Sequence, residues 1–85
     1  MENLKDTTAL MESNDYVERF RAEYWQTKIR YEKLKHYNNR IEAYKGTDEE
    51  PTHDCPLELL RKQERTMFKY LTQLEERAAI ERIIL

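Results

Sequence analysis

Nucleophilic chemistry needs a serine or cysteine beside a base, and this 85-residue chain offers one serine (Ser13), one cysteine (Cys55) and two histidines (His36 and His53). Ser13 stands at a helix start, where capping is its ordinary use, and nothing in the spacing brings a histidine to it. Cys55 follows His53 by two residues, so a thiolate–imidazole contact is open to it, but the same position also suits a helix cap. As a metal site, His53, Asp54 and Cys55 supply at most three ligands, whereas a structural zinc wants four with paired spacing. The carboxylate pairs Glu49–Glu50 and Glu75–Glu76 are adjacent in sequence, which suits solvated surface rather than acid–base work. The chain predicts no enzyme, no metal and no cofactor.

Anion binding is the chemistry that the residue types favour. Residues 28–45 carry six basic and two acidic residues, and residues 58–73 carry four basic and two acidic. Between them Asp48, Glu49, Glu50 and Asp54 form an acidic stretch, and residues 1–27 carry three basic against six acidic. Tyr31, Tyr37, Tyr44, Phe68 and Tyr70 fall in or beside the basic segments. Arginine forks bind phosphate oxygens and tyrosine faces stack on bases. The candidate ligand-binding residues are therefore Arg30, Lys33, Tyr37, Arg40, Tyr44, Arg61, Arg65, Lys69 and Tyr70. The competing use of the same residues is structural: flanking cations pair with glutamates across helices, and tyrosines beside a seam pack. Fifteen basic and 17 acidic residues leave a net charge of −2, which opposes extended binding of duplex nucleic acid.

The elements that must position these groups are helical. One glycine (Gly46) and two prolines (Pro51, Pro56) exclude a glycine-rich phosphate loop and leave too little turn chemistry for a β fold. A single cysteine excludes an internal disulfide framework and fits a reducing compartment, the cytoplasm. No apolar run approaches the roughly 18 residues of a membrane span, and no signal-peptide core is expected at the start. Residues 1–13 lack periodicity and are expected to form a flexible or weakly helical arm. Residues 14–45 and 56–83 are rich in Glu, Lys, Arg, Gln and Leu and predict two helices around an acidic loop at 46–55. Ser13 or Asp15 can cap the first, and Asp15 with Glu18 has the form of a capping box. Lys45 and Gly46 suit its end. Asp54 or Cys55 can cap the second, with Pro56 at its first position.

Val17, Phe20, Tyr24, Thr27, Tyr31, Leu34, Asn38 and Ile41 alternate steps of three and four, as do Leu57, Leu60, Glu64, Met67, Leu71, Leu74 and Ala78. That seam of period 3.5 on both segments predicts an all-α, coiled-coil-like antiparallel hairpin spanning 14–85. Counting outward from the loop sets Ile41 opposite Leu60, Asn38 opposite Glu64, Tyr31 opposite Leu71 and Tyr24 opposite Ala78. Either Asn38 and Glu64 form a polar layer that fixes register, with Arg40 or Lys62 as cation, or Glu64 reaches past the seam into water. Ala22, Trp25 and Ile29 make a stripe off the seam, and Leu59, Phe68, Tyr70, Ile80 and Ile84 also lie off it. A two-helix hairpin buries little, so Ala22, Trp25, Ile29, Phe68, Ile80 and Ile84 are expected at the interface of a helical-bundle homo-oligomer.

The segments Asp15-Tyr-Val-Glu-Arg-Phe-Arg-Ala-Glu-Tyr and Ile29-Arg-Tyr-Glu-Lys-Leu resemble parts of a known pattern, as do Cys55-Pro-Leu-Glu-Leu-Leu-Arg-Lys-Gln and Met67-Phe-Lys-Tyr-Leu-Thr-Gln-Leu-Glu-Glu-Arg-Ala. Together, over residues 15–82, they resemble small helical proteins of phages and prophages of Gram-positive bacteria, including a crAss-phage-related group. In size, hairpin architecture and basic–aromatic composition the chain is also similar to helical-hairpin sponges that sequester cyclic-nucleotide immune signals. The resemblance implies a phage accessory protein countering host defence in the bacterial cytoplasm by sequestering a small anionic nucleotide. No site residue is taken from it. The alternative reading is an interaction module or inhibitor of a host defence protein such as a nuclease, gripping it through the Trp25–Ile29 face or the acidic loop.

Overall fold

A computed structural model describes residues 15–85 and shows, among them, two helices and no strand. Helix α1 spans Tyr16–Ala43 and helix α2 spans Leu57–Glu81. They pack antiparallel: Tyr16 meets Glu81, Tyr24 meets Glu75 and Asn38 meets Glu64 through side-chain hydrogen bonds. The expected all-α hairpin is the fold. Residues 1–13, read as an arm, lie outside the described residues.

Local chemistry sets the helix ends. Asp15 caps α1, its carboxylate accepting from the Val17 and Glu18 amides at 2.8 and 3.4 Å, a device that contributes about 1 kcal/mol. At the other end the Tyr44 amide closes on the Arg40 carbonyl, and Gly46, at φ +80°, takes the left-handed turn that leads out of the helix. Helix α2 departs from expectation by one residue. Pro56, not Asp54 or Cys55, is its N-cap: Pro56 keeps an extended ψ of 142°, and its carbonyl accepts from Leu59 and Leu60. Proline has no side-chain acceptor, so this end has no side-chain cap.

Helix α2 ends at Arg82, a non-glycine residue in the left-handed region at φ 58°. The amides of Arg82 and Ile83 both close on the Ala78 carbonyl. Left-handed backbone costs roughly 1 kcal/mol for such a residue. The turn sends Ile83 and Leu85 back onto the core, whose buried members are Phe20, Tyr24, Leu71, Leu74 and Ala78, and that apolar burial offsets the strain. Trp25 and Tyr31 pack against the same cluster. Toward the loop the seam is thinner. Ile41 and Asn38 are buried, while Leu34, Leu57, Leu60 and Met67 are only half-buried.

Candidate functional site

An aromatic pair spans the two helices on one flank of the seam. Tyr31 of α1 and Phe68 of α2 lie with ring centroids 5.9 Å apart and planes tilted by 45°. They line an open groove of about 420 Å³ together with Glu64, Arg65 and Lys69, within the size range of small-molecule sites. Phe68 is 55% exposed, an unusual position for a phenylalanine that serves only packing. Arg65 and Lys69 stand four residues apart and so share one face of α2. On the α1 side the Lys35 ammonium sits 6.0 Å from the centroid of the Tyr31 ring. Two turns back along α1, Lys28 lies 5.3 Å from the Trp25 ring centroid and 5.8 Å from that of Tyr24. These are cation–π distances. The flank therefore alternates ring faces and cations along both helices.

Glu64 forms the inner wall of this groove and belongs to a polar layer across the seam. Its Oε1 accepts from Asn38 Nδ2 at 3.0 Å and from Arg61 Nη1 at 2.7 Å. Arg61 Nη2 also donates to Glu42 and to Asn39 on α1, so one guanidinium ties both helices together. Burial alone would raise the Glu64 pKa, but the hydrogen bonds from Asn38 and Arg61, with Lys35 nearby, outweigh it and hold the carboxyl below its ordinary range. Glu64 Oε2 takes no hydrogen bond from the described residues. Asn38 is 0% exposed and its Oδ1 has no partner among the described residues. Asn38 and Glu64 thus face each other as the seam count predicts. The cation is Arg61 rather than Arg40 or Lys62, because Arg61 stands three residues before Glu64 and its fork also reaches Glu42.

The sequence-predicted ligand residues divide between two flanks. Arg65 and Lys69 line the groove. Arg61 is beside it, but its guanidinium is occupied by Glu42, Glu64 and Asn39. The helical period of 3.6 places Arg30, Tyr37 and Tyr44 on the opposite flank of α1, with Lys33 and Arg40 in the adjoining rows. Tyr37 donates its hydroxyl to the Thr52 carbonyl at 2.6 Å and straps the loop to α1. Tyr70 donates to Glu23 at 3.2 Å. Arg30, Lys33, Arg40 and Tyr44 are exposed, and none of them lines the Tyr31–Phe68 groove. Sequence reasoning missed Tyr31, Phe68, Lys28 and Lys35 as one group. The spacing that could have found it is tyrosine followed by lysine four residues on, at Tyr24–Lys28 and Tyr31–Lys35, which lays an ammonium over a ring on one helix face.

The loop is tied down rather than open. Glu50 accepts from the Gly46 amide at 2.8 Å, and the His53 imidazole lies between Glu50 Oε2 at 3.1 Å and the Cys55 carbonyl at 2.6 Å. Both neighbours of the ring are acceptors, so only the doubly protonated imidazole donates to both. The Cys55 carbonyl, then Glu50, raise the His53 pKa, and the Gly46 amide, then His53, lower that of Glu50. His53 therefore contacts the backbone carbonyl of Cys55, and no thiolate–imidazole pair forms. Among the described residues no three His, Cys, Asp or Glu side chains gather as a metal cage, and no helix is long and apolar enough to cross a membrane.

The six residues expected at an oligomer interface fall into two sets. Ala22 is 0% exposed within the single chain, and Trp25 and Ile29 are half-buried. Trp25 packs edge-on against Tyr24 at 5.3 Å, so this stripe is not a bare outer face. The indole is large enough to reach round the helix to the core cluster, which heptad counting does not register. Phe68, Ile80 and Ile84 are exposed, the last two at 81% and 85%.

No curated protein and no solved structure gives a match to this chain. A family profile does match it, over residues 14–80, which takes in all of α1, α2 short of its last residue, the loop between them and every residue that lines the groove. By that match across most of its length, the chain belongs to the Sequestin family.

Proposed function

We propose that this protein binds and sequesters a small anionic nucleotide on the Tyr31–Phe68 flank, as a non-enzymatic phage accessory protein that removes a cyclic-nucleotide immune signal from the host bacterial cytoplasm. The observation that carries this reading is the groove: a tilted ring pair, Phe68 open to solvent and Tyr31 half-buried, with Arg65 and Lys69 beside it and Lys35 over the Tyr31 ring. A base stacks on an aromatic face with about 1–3 kcal/mol per base, and phosphate oxygens suit the arginine fork and the lysine ammoniums. The family's name, Sequestin, is that of a sequestering protein and supports the same reading. Copies of the chain associate through Phe68, Ile80 and Ile84, three of the apolar residues left uncovered, and the nucleotide lies between hairpins. The basic residues of the opposite flank then face the ligand from the second copy.

Native mass spectrometry of the full chain, before and after a panel of cyclic and linear nucleotides, tests this. The expected result is an oligomer that gains the mass of intact nucleotide without turning it over, and that loses the gain on Phe68→Ala and on Arg65→Ala. An oligomer indifferent to the whole panel overturns the proposal and turns attention to protein antagonism through the acidic loop. A monomer that retains nucleotide overturns the inter-hairpin placement alone.

A further inference from the structure

We infer that Glu64 sets the specificity of the groove: its free carboxylate oxygen selects, among aromatic phosphates, those that also present a neutral hydrogen-bond donor. This rests on the nucleotide-binding reading above. A wall that exists only to hold anions would be all cationic, yet Glu64 is among the residues that line this one. The side chain is not free to swing away, because Oε1 is pinned by Asn38 at 3.0 Å and by Arg61 at 2.7 Å. Fixing one oxygen of a planar carboxylate fixes the other. Oε2 remains without a hydrogen bond among the described residues, in the residue that lines the groove beside Arg65 and Lys69.

Such a wall penalises an unpaired anion by repulsion and rewards a donor placed next to one. Arg65 and Lys69 are satisfied by phosphate, and Glu64 by an O–H or N–H on the same ligand. A ribose hydroxyl and a base amino group both supply that chemistry. The ligand class that fits all three features is therefore a nucleotide rather than a polyphosphate, a sulfated aromatic or another donor-free aromatic acid.

Isothermal titration of the full-length protein with four probes tests the inference: adenosine 5′-monophosphate, 2′,3′-dideoxyadenosine 5′-monophosphate, purine riboside 5′-monophosphate and phenyl phosphate. Phenyl phosphate carries ring and phosphate with no donor. Wild type is expected to prefer adenosine monophosphate over phenyl phosphate by at least about tenfold, the scale of one hydrogen bond to a charged group. Weakened binding of the dideoxy probe assigns the donor to the ribose, and of the purine riboside probe to the base. Glu64→Gln keeps an amide oxygen for Asn38 and Arg61 but turns the free acceptor into a donor, so its preference should fall to about twofold or reverse. If wild type binds phenyl phosphate as tightly as adenosine monophosphate, or if a folded E64Q protein keeps the wild-type preference, the inference fails while nucleotide binding stands. Should E64Q not fold, the wild-type ranking of the four probes decides. If no nucleotide probe binds wild type, the inference is overturned, while the sequestration reading is decided separately by the panel of cyclic and linear nucleotides.

Discussion

In the half of the hairpin away from the loop, Phe20, Tyr24, Leu71, Leu74 and Ala78 close on one another and on Trp25, Ile83 and Leu85. In the half beside the loop, Ile41 and Asn38 are buried, the leucines and Met67 are half-open, and a chain of polar bonds runs Asn38–Glu64–Arg61–Glu42. The same heptad therefore yields two kinds of cohesion. Apolar contact is strong and tolerant of direction, so it carries stability. Hydrogen bonds between ions and amides gain little net energy but demand one geometry, so they carry alignment. The groove lies where the two regimes meet, with Tyr31 packed on the apolar cluster and Glu64 fixed by the polar layer. A site that needs a fixed carboxylate and a ring pair with one ring packed and the other exposed is built most simply at that boundary.

The largest test of this contrast is Leu74→Ala. Leu74 is 2% exposed at the centre of the apolar half, and its truncation is expected to cost about 3 kcal/mol, read as a lowered urea midpoint. The counterpart in the polar half is Arg61→Met, which leaves Glu64 with Asn38 as its one donor and releases Glu42. It should cost about 1.5 kcal/mol, and broadening of amide resonances near residues 38–42 should report lost alignment beyond that figure. If the two substitutions cost the same, stability is shared evenly and the contrast is wrong. Arg82→Gly removes the left-handed strain and keeps the turn that returns Ile83 and Leu85 to the core; a gain of about 0.5–1 kcal/mol is expected. A loss would mean that the arginine side chain holds the end of α2.

The smallest effects are protonic, and they fall in different pH windows for the two halves. The folded pKa of His53 is raised above 6.5, so the contribution of its bonds to Glu50 and Cys55 is full below 6.5 and is lost as pH rises through the folded value. Glu50 is lowered below 4.5, so its contribution is present above 4.5 and lost as pH falls through the folded value. The loop is held most firmly between about 4.5 and 6.5, and protection of the Gly46 amide from hydrogen exchange, relative to its intrinsic rate at each pH, should be greatest there. In the apolar half Tyr24, buried and donating to Glu75 at 2.6 Å, is pushed up to about 12. Its contribution is full below 10.0 and disappears as pH rises towards 12. An ultraviolet titration of the phenols should show Tyr24 titrating late, and Glu75→Gln should bring it down only in part, because burial is the larger cause of its shift.

The hairpin itself was legible because helix pattern, loop chemistry and seam count all agree, and the Asn38–Glu64 pairing follows from counting residues outward from the middle of the loop. The groove was much less so. Heptad reasoning sorts residues into seam and surface, and it assigned Tyr31 to the first and Phe68 to an interface. It has no category for a ring that does both, packing on one face and lying open on the other. Nor does it say which flank of the seam a cation occupies relative to the second helix, so Arg65 and Lys69 were grouped with Arg40 and Tyr44 from the far side. The swap of Arg61 for Arg40 or Lys62 has a plainer cause. Charge counting sees that a cation is needed but not which side chain has the reach.

Arg61 has a consequence for how this sequence can vary. Its guanidinium answers three acceptors on two helices at once, Glu42, Asn39 and Glu64. A lysine ammonium, a point charge on a flexible stem, cannot present a planar fork to all three. Position 61 is therefore intolerant even of the mildest exchange, while Lys62, one residue along and exposed, is free to drift. Two adjacent basic residues that look interchangeable in the sequence stand under opposite mutational pressure.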